Sequence, residues 1–140
     1  MRQGNVGNCF DFFHTQDPKL ARDLLEAPEI HVQLLAFRAL GKGDDKARAT
    51  AAENLDLLLP TLLRPLHRRT RLAAFTALQN AATTEENARR ILDRARQALD
   101  LPDERYPREA LVGLIGRVLA RWPALRGPNE QPIVHAREAS

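Results

Sequence analysis

The segment LLAFRAL at residues 34–40 returns as LAAFTAL at 72–78, matching at five of seven positions after a shift of 38. A chain that repeats a helix-like apolar block at near-constant spacing is drawn toward architectures in which similar units stack and bury one another's faces. A weaker third copy, ALVGL (110–114), lies a further 36 residues on from Ala74. A second series alternates with the first: ENLDLLL (53–59) resembles ENARRIL (86–92) at a shift of 33, and Leu24-Leu25 precedes Leu58-Leu59 by 34. Two helix types therefore alternate with a period of 33–38 residues.

Composition agrees with helices. The apolar residues are mostly Leu and Ala, both strong helix formers, and the five Phe, one Tyr and one Trp leave sheet little to build with. The fold class this predicts is all-α. Asp17-Pro18 reads as an N-cap and N1 proline opening DPKLARDLLEA, with Leu20, Leu24 and Leu25 on one side. Pro28 restarts the chain at N1 of PEIHVQLLAFRALG, with Leu34, Phe37 and Leu40 in phase and Gly41 as the C′ stop. GKGDDK is a turn ending in an aspartate cap for ARATAAENLDLLL, whose Ala51, Leu55, Leu58 and Leu59 share a face.

Pro60 and Pro65 bracket a break before LHRRTRLAAFTALQNAA, in which Leu72, Phe75 and Leu78 are expected to face the core. Thr83 and Glu86 have capping-box spacing ahead of EENARRILDRARQAL. Pro107 opens the last helix, PREALVGLIGRVLARW, and Pro123 closes it. Leu57, Leu62, Leu63 and Leu66 exceed what one helix face can bury, which predicts apolar surface covered by another subunit or by self-association.

The period and the helix–turn–helix unit resemble HEAT-like α-solenoid repeats over about residues 18–122, roughly three units. The resemblance implies six or seven helices in antiparallel pairs, stacked into a short α-solenoid. HEAT-type repeats tend to carry a proline inside the first helix, whereas Pro28 and Pro107 read as N1 prolines, so an irregular helical bundle is the alternative. The expected organisation is an N-terminal segment (1–16), a helical-repeat domain (17–123) and a C-terminal tail (124–140).

Catalytic classes fail on their required residues. Cys9 is the lone cysteine, and His14, His31, His67 and His135 form no H-x3-H or H-E-x-x-H pair, so no metal is expected. Ser140 is the only serine, and Cys9 with His14 is the only other nucleophile–base pair. The glycines of GNVGN and GKGDD lack phosphate-loop spacing. The acidic pairs Asp44/Asp45, Glu85/Glu86 and Asp103/Glu104 fall where acids cap helices. The chain is expected to be no enzyme, with no cofactor and no small-molecule substrate; a glycosylase on a HEAT-like scaffold ranks a distant third, for want of a catalytic aspartate and aromatic pair. It has no signal-peptide-like start and no apolar run of membrane-spanning length, which predicts a cytoplasmic protein.

Charge is the informative departure. The overall +3 divides into −2 over residues 1–63, +6 over 64–126 and −1 over 127–140, and eighteen of twenty-one basic residues are Arg. Arg64, Arg68, Arg69 and Arg71 crowd a helix start, where the helix dipole disfavours cations by roughly 0.3–1 kcal/mol each. Nothing acidic lies between Asp56 and Glu85 to neutralise them locally. Arg90 and Arg94 are a like-charge i,i+4 pair, as are Arg117 and Arg121. These eight arginines are the candidate anion-binding residues. Guanidinium groups beside free backbone N–H groups suit phosphate or carboxylate.

Two functions compete. An accessory subunit of a larger assembly would track a DNA or RNA backbone without reading bases, aromatics for stacking being few. A protein–protein adaptor would instead expose an apolar patch to other protein subunits. Two alternatives leave the arginines without a ligand: a solvated basic face, or ion pairs across space with the acidic N-terminal half.

Overall fold

The computed structural model describes residues 18–63, 66–101 and 108–127. Asp17, Pro65, Pro107, the N-terminal segment and most of the C-terminal tail lie outside these residues. Seven α-helices run through them: α1 (Pro18–Leu25), α2 (Ile30–Leu40), α3 (Asp45–Glu53), α4 (Leu55–Leu58), α5 (Arg68–Ala81), α6 (Glu85–Leu99) and α7 (Arg108–Arg121). Short 3-10 turns follow α4 (Leu59–Leu62) and α7 (Pro123–Leu125). There is no strand among the described residues, and the fold is all-α.

The core runs along a seam between α2 and α5, which pack on each other more extensively than any other pair of helices. The matched segments bury matched positions. Ala36, Phe37, Ala39 and Leu40 of α2 are buried, and so are their counterparts Ala74, Phe75, Ala77 and Leu78 of α5. The odd position between them, Arg38 in one copy and Thr76 in the other, faces solvent in both. Small residues at 36, 39, 74 and 77 let the two backbones approach, while the phenylalanines fill the space beside them. The two helices run in the same direction: Arg38 lies near Arg69, Gly41 near Thr76, and the end of α2 near Asn80. Asn80 Nδ2 donates to both Leu40 O (2.7 Å) and Lys42 O (2.6 Å), satisfying carbonyls that the end of α2 leaves open.

Around this seam α3 and α4 pack against α5, α1 packs on α2, and α6 packs on α7 and on the 3-10 turn after α4. Trp122 ties the end of α7 to the corner between α5 and α6, its Nε1 donating to Ala82 O at 2.9 Å. Arg96 Nη2 donates to Leu125 O at 2.9 Å and holds the final turn in place.

Several local expectations are corrected. Helix α2 starts at Ile30 behind an extended Glu29, so Pro28 precedes the cap instead of occupying N1. Leu34 is only half-buried, and Val32 takes the inward position on that turn. Gly41 ends α2 with φ −87°, outside the left-handed region that favours glycine. Its value is space: a Cβ there would sit 3.0 Å from Thr76 Cγ2. The helix expected through residues 47–59 breaks at Asn54, whose side-chain amide donates to Thr50 O at 3.0 Å. Asparagine competes with the backbone in this way and disfavours helix interiors. Leu62 is fully buried, and Leu57, Leu63 and Leu66 pack half-buried on the core, so the surplus leucines are absorbed within the chain.

Capping is as expected at Asp44, which accepts from Ala47 N at 2.8 Å, but not at Thr83. Thr84 caps α6, accepting from Asn87 N at 3.1 Å. Thr84→Ala is therefore expected to cost about 1 kcal/mol, and Thr83→Ala no more than about 0.5 kcal/mol, in urea unfolding. Equal losses from both substitutions would mean that the cap is shared between them.

Candidate anion-binding surface

Helix α5 begins with arginines and no acid in its first turn. Its cap is weak: His67 Nδ1 accepts from Arg69 N at 3.4 Å. By contrast α3, α6 and α7 each carry an acidic residue in the first turn, the arrangement the dipole favours. The sequence-level conflict at this helix start is therefore present in the folded chain.

Of the eight candidate arginines, Arg64 lies outside the described residues. Arg68, Arg69, Arg90, Arg94, Arg117 and Arg121 are exposed, and Arg71 is half-buried. None of the six exposed side chains makes a hydrogen bond or ion pair with a described residue. Three acids of the N-terminal half pair with basic residues of that same half. Asp56 binds Arg22 at 3.0 Å, and this hydrogen bond and charge raise the Arg22 pKa above its ordinary value. Asp45 binds Arg48, and Asp44 lies 3.9 Å from Lys42. None of the six exposed candidate arginines is ion-paired with an acid of the described N-terminal half.

Helix α6 sorts its charges by edge. Ala88, Ile91, Leu92 and Ala95 turn inward. On one flank Arg89 meets Glu85 at 3.3 Å and Arg96 meets Asp93 at 3.8 Å. Arg90 and Arg94 occupy the other flank, one turn apart; Glu86 precedes Arg90 on the same line but forms no ion pair with it. Helix α7, packed beside α6, has the same arrangement: Leu114, Ile115 and Val118 face in, and Arg117 and Arg121 share one flank. The Arg117 guanidinium folds back over Gly113, with Nη1 3.5 Å from the position a Cβ would take.

The arginines at 68–71 do not act as one cluster. Arg69 shares a helix line with Leu72, Ala73 and Thr76, and these four form one wall of a cleft of about 300 Å³. The opposite wall is Phe37, Arg38 and Gly41 of α2. None of the other six described candidates lines it. Leu72, expected in the core, is 50% exposed here. Ala74, Phe75, Ala77 and Leu78 take the inward face instead. Arg38 was not among the candidates, yet the register between LLAFRAL and LAAFTAL already pairs it with Thr76.

Among the described residues no group of histidine, cysteine or acidic side chains is placed to hold a metal, and no helix is long and apolar enough to cross a membrane. No protein-family model, curated protein or solved structure matches the chain.

Proposed function

We propose that this protein is a non-enzymatic helical accessory subunit that binds the phosphate backbone of DNA or RNA without reading its sequence. The observation that carries the reading is the set of exposed arginines on α5, α6 and α7 that form no ion pair with a described carboxylate. Arg68, Arg90, Arg94, Arg117 and Arg121 supply the phosphate contacts, each as a fork of N–H donors. Phosphate at the start of α5 also relieves the unfavourable stacking of cations on its positive end. The short HEAT-like solenoid belongs to the same proposal. It is supported by the matched burial of α2 and α5 and by their common direction.

A salt titration of binding to fluorescent single- and double-stranded DNA and RNA tests it. Five arginine–phosphate contacts predict a slope of log affinity against log salt of about −4 to −5 on duplex DNA. A fourfold rise in salt then weakens binding by roughly two to three orders of magnitude. Absence of binding at low salt sinks the reading and leaves the protein adaptor.

A further inference from the structure

The cleft between α2 and α5 does not suit a phosphate backbone. Its floor is apolar: the buried Phe37, the half-buried Ala73 and the uncovered side of Leu72. Thr76 adds no free polar atom, because its hydroxyl donates to Leu72 O at 3.0 Å and its methyl group faces Gly41. The polar side chains left to meet a ligand are Arg38 and Arg69, one on each wall. Neither is ion-paired with a described residue, and no carboxylate lines the cleft. At about 300 Å³ it stands at the lower edge of the roughly 300–1,000 Å³ typical of small-molecule sites, a size suited to anchoring a side chain.

We propose that this cleft docks an acidic, apolar segment of a partner protein. A leucine or phenylalanine of the partner inserts between Leu72 and Phe37, and carboxylates flanking it bind Arg38 and Arg69. The argument is charge complementarity coupled to shape. An apolar anchor alone leaves two guanidinium groups beside it without partners, and a phosphate strand leaves Leu72 against a hydrated surface. Only a ligand with both characters satisfies both halves of the cleft, and carboxylate–arginine forks fix its register. This goes beyond the phosphate-binding reading and uses different residues, Arg69 being assigned here to the protein partner.

The test uses the full chain, isotopically labelled, titrated with a short synthetic peptide in which one phenylalanine is flanked by leucine and glutamate residues. Amide signals of Gly41, Leu72, Ala73 and Thr76 are expected to shift. Affinity is expected to fall at least tenfold in Arg38→Glu/Arg69→Glu and in Leu72→Glu, each checked for native helicity by circular dichroism. It should be unchanged in Arg90→Glu/Arg94→Glu, which keeps this result separate from nucleic-acid binding. The same peptide with lysine in place of glutamate should not bind. Equal binding of the lysine peptide, or no shift at the four cleft residues, overturns the proposal. Displacement of the peptide by duplex DNA with shifts at the same residues also overturns it, by placing the cleft within the phosphate-binding face.

Discussion

Phe37→Ala is expected to destabilise the protein by about 3–5 kcal/mol, the largest effect of any single substitution considered for this chain. Phe37 is 1% exposed and lies on the seam between α2 and α5, the most extensive packing in the fold. Among the described residues Phe37 and Phe75 are the only aromatic rings in the buried core. The seam also carries alanines at 36, 39, 74 and 77, which have no side-chain length with which to fill a cavity. Collapse of the seam is further opposed by Asn80, whose two hydrogen bonds set the spacing at the end of α2, and by the tight Gly41–Thr76 approach. Domains are stable by only about 5–15 kcal/mol, so the variant should sit close to its unfolding threshold. Urea unfolding followed by circular dichroism should show a lower midpoint with an unchanged slope. A loss under about 1 kcal/mol would mean that the seam closes over the missing ring, and that its alanines are not held apart as described.

The same seam shows where sequence reasoning reaches and where it stops. Helix positions were legible because leucine and alanine recur at helical spacing between prolines and caps, and the matched blocks identified two helices with equivalent inner faces. What pattern alone could not supply was which face a neighbouring helix would approach. On α5 the rule that large apolar residues point inward selects Leu72 with Phe75 and Leu78, but the buried face is Ala74, Phe75, Ala77 and Leu78, turned toward α2, and Leu72 remains half-exposed. Boundaries slipped for a related reason. Thr83 and Thr84 are both competent caps, and the capping-box spacing to Glu86 favours the wrong one by a single residue.

The candidate surface was legible in the same partial way. The absence of nearby acids marked the arginines at 64–71 as unusual, and the i,i+4 pairs on α6 and α7 do share flanks. Separation of Arg68 from Arg69 follows from one residue of helical rotation, about 100°, and is decided by where α2 lies. Arg38 and Arg69 are 31 residues apart in the chain and meet across a cleft only because their helices pack side by side. The contact of Asn80 with Leu40 spans 40 residues and has no local signature at all.

Charge reversal on α6 and α7 should produce the largest change in function. Each duplex-phosphate contact contributes a slope of roughly −0.9, so near 0.1 M salt it is worth about eightfold in affinity. Arg90→Glu/Arg94→Glu removes two such contacts and is expected to weaken binding about 60-fold, with the salt slope shallower by about 2. Arg117→Glu/Arg121→Glu should do the same, the added negative charge making these lower bounds. All four positions are exposed and make no described hydrogen bond or ion pair, so the variants should retain native helicity and a melting temperature within a few degrees of the parent. Combining the pairs separates two geometries. If α6 and α7 contact one continuous stretch of backbone, the losses multiply and the combined slope falls by about 4. If only one flank faces the strand, one pair carries the whole effect and the other changes nothing. Binding that survives all four reversals with its salt slope intact would remove the arginine flanks from the interface and, with them, the phosphate-binding reading.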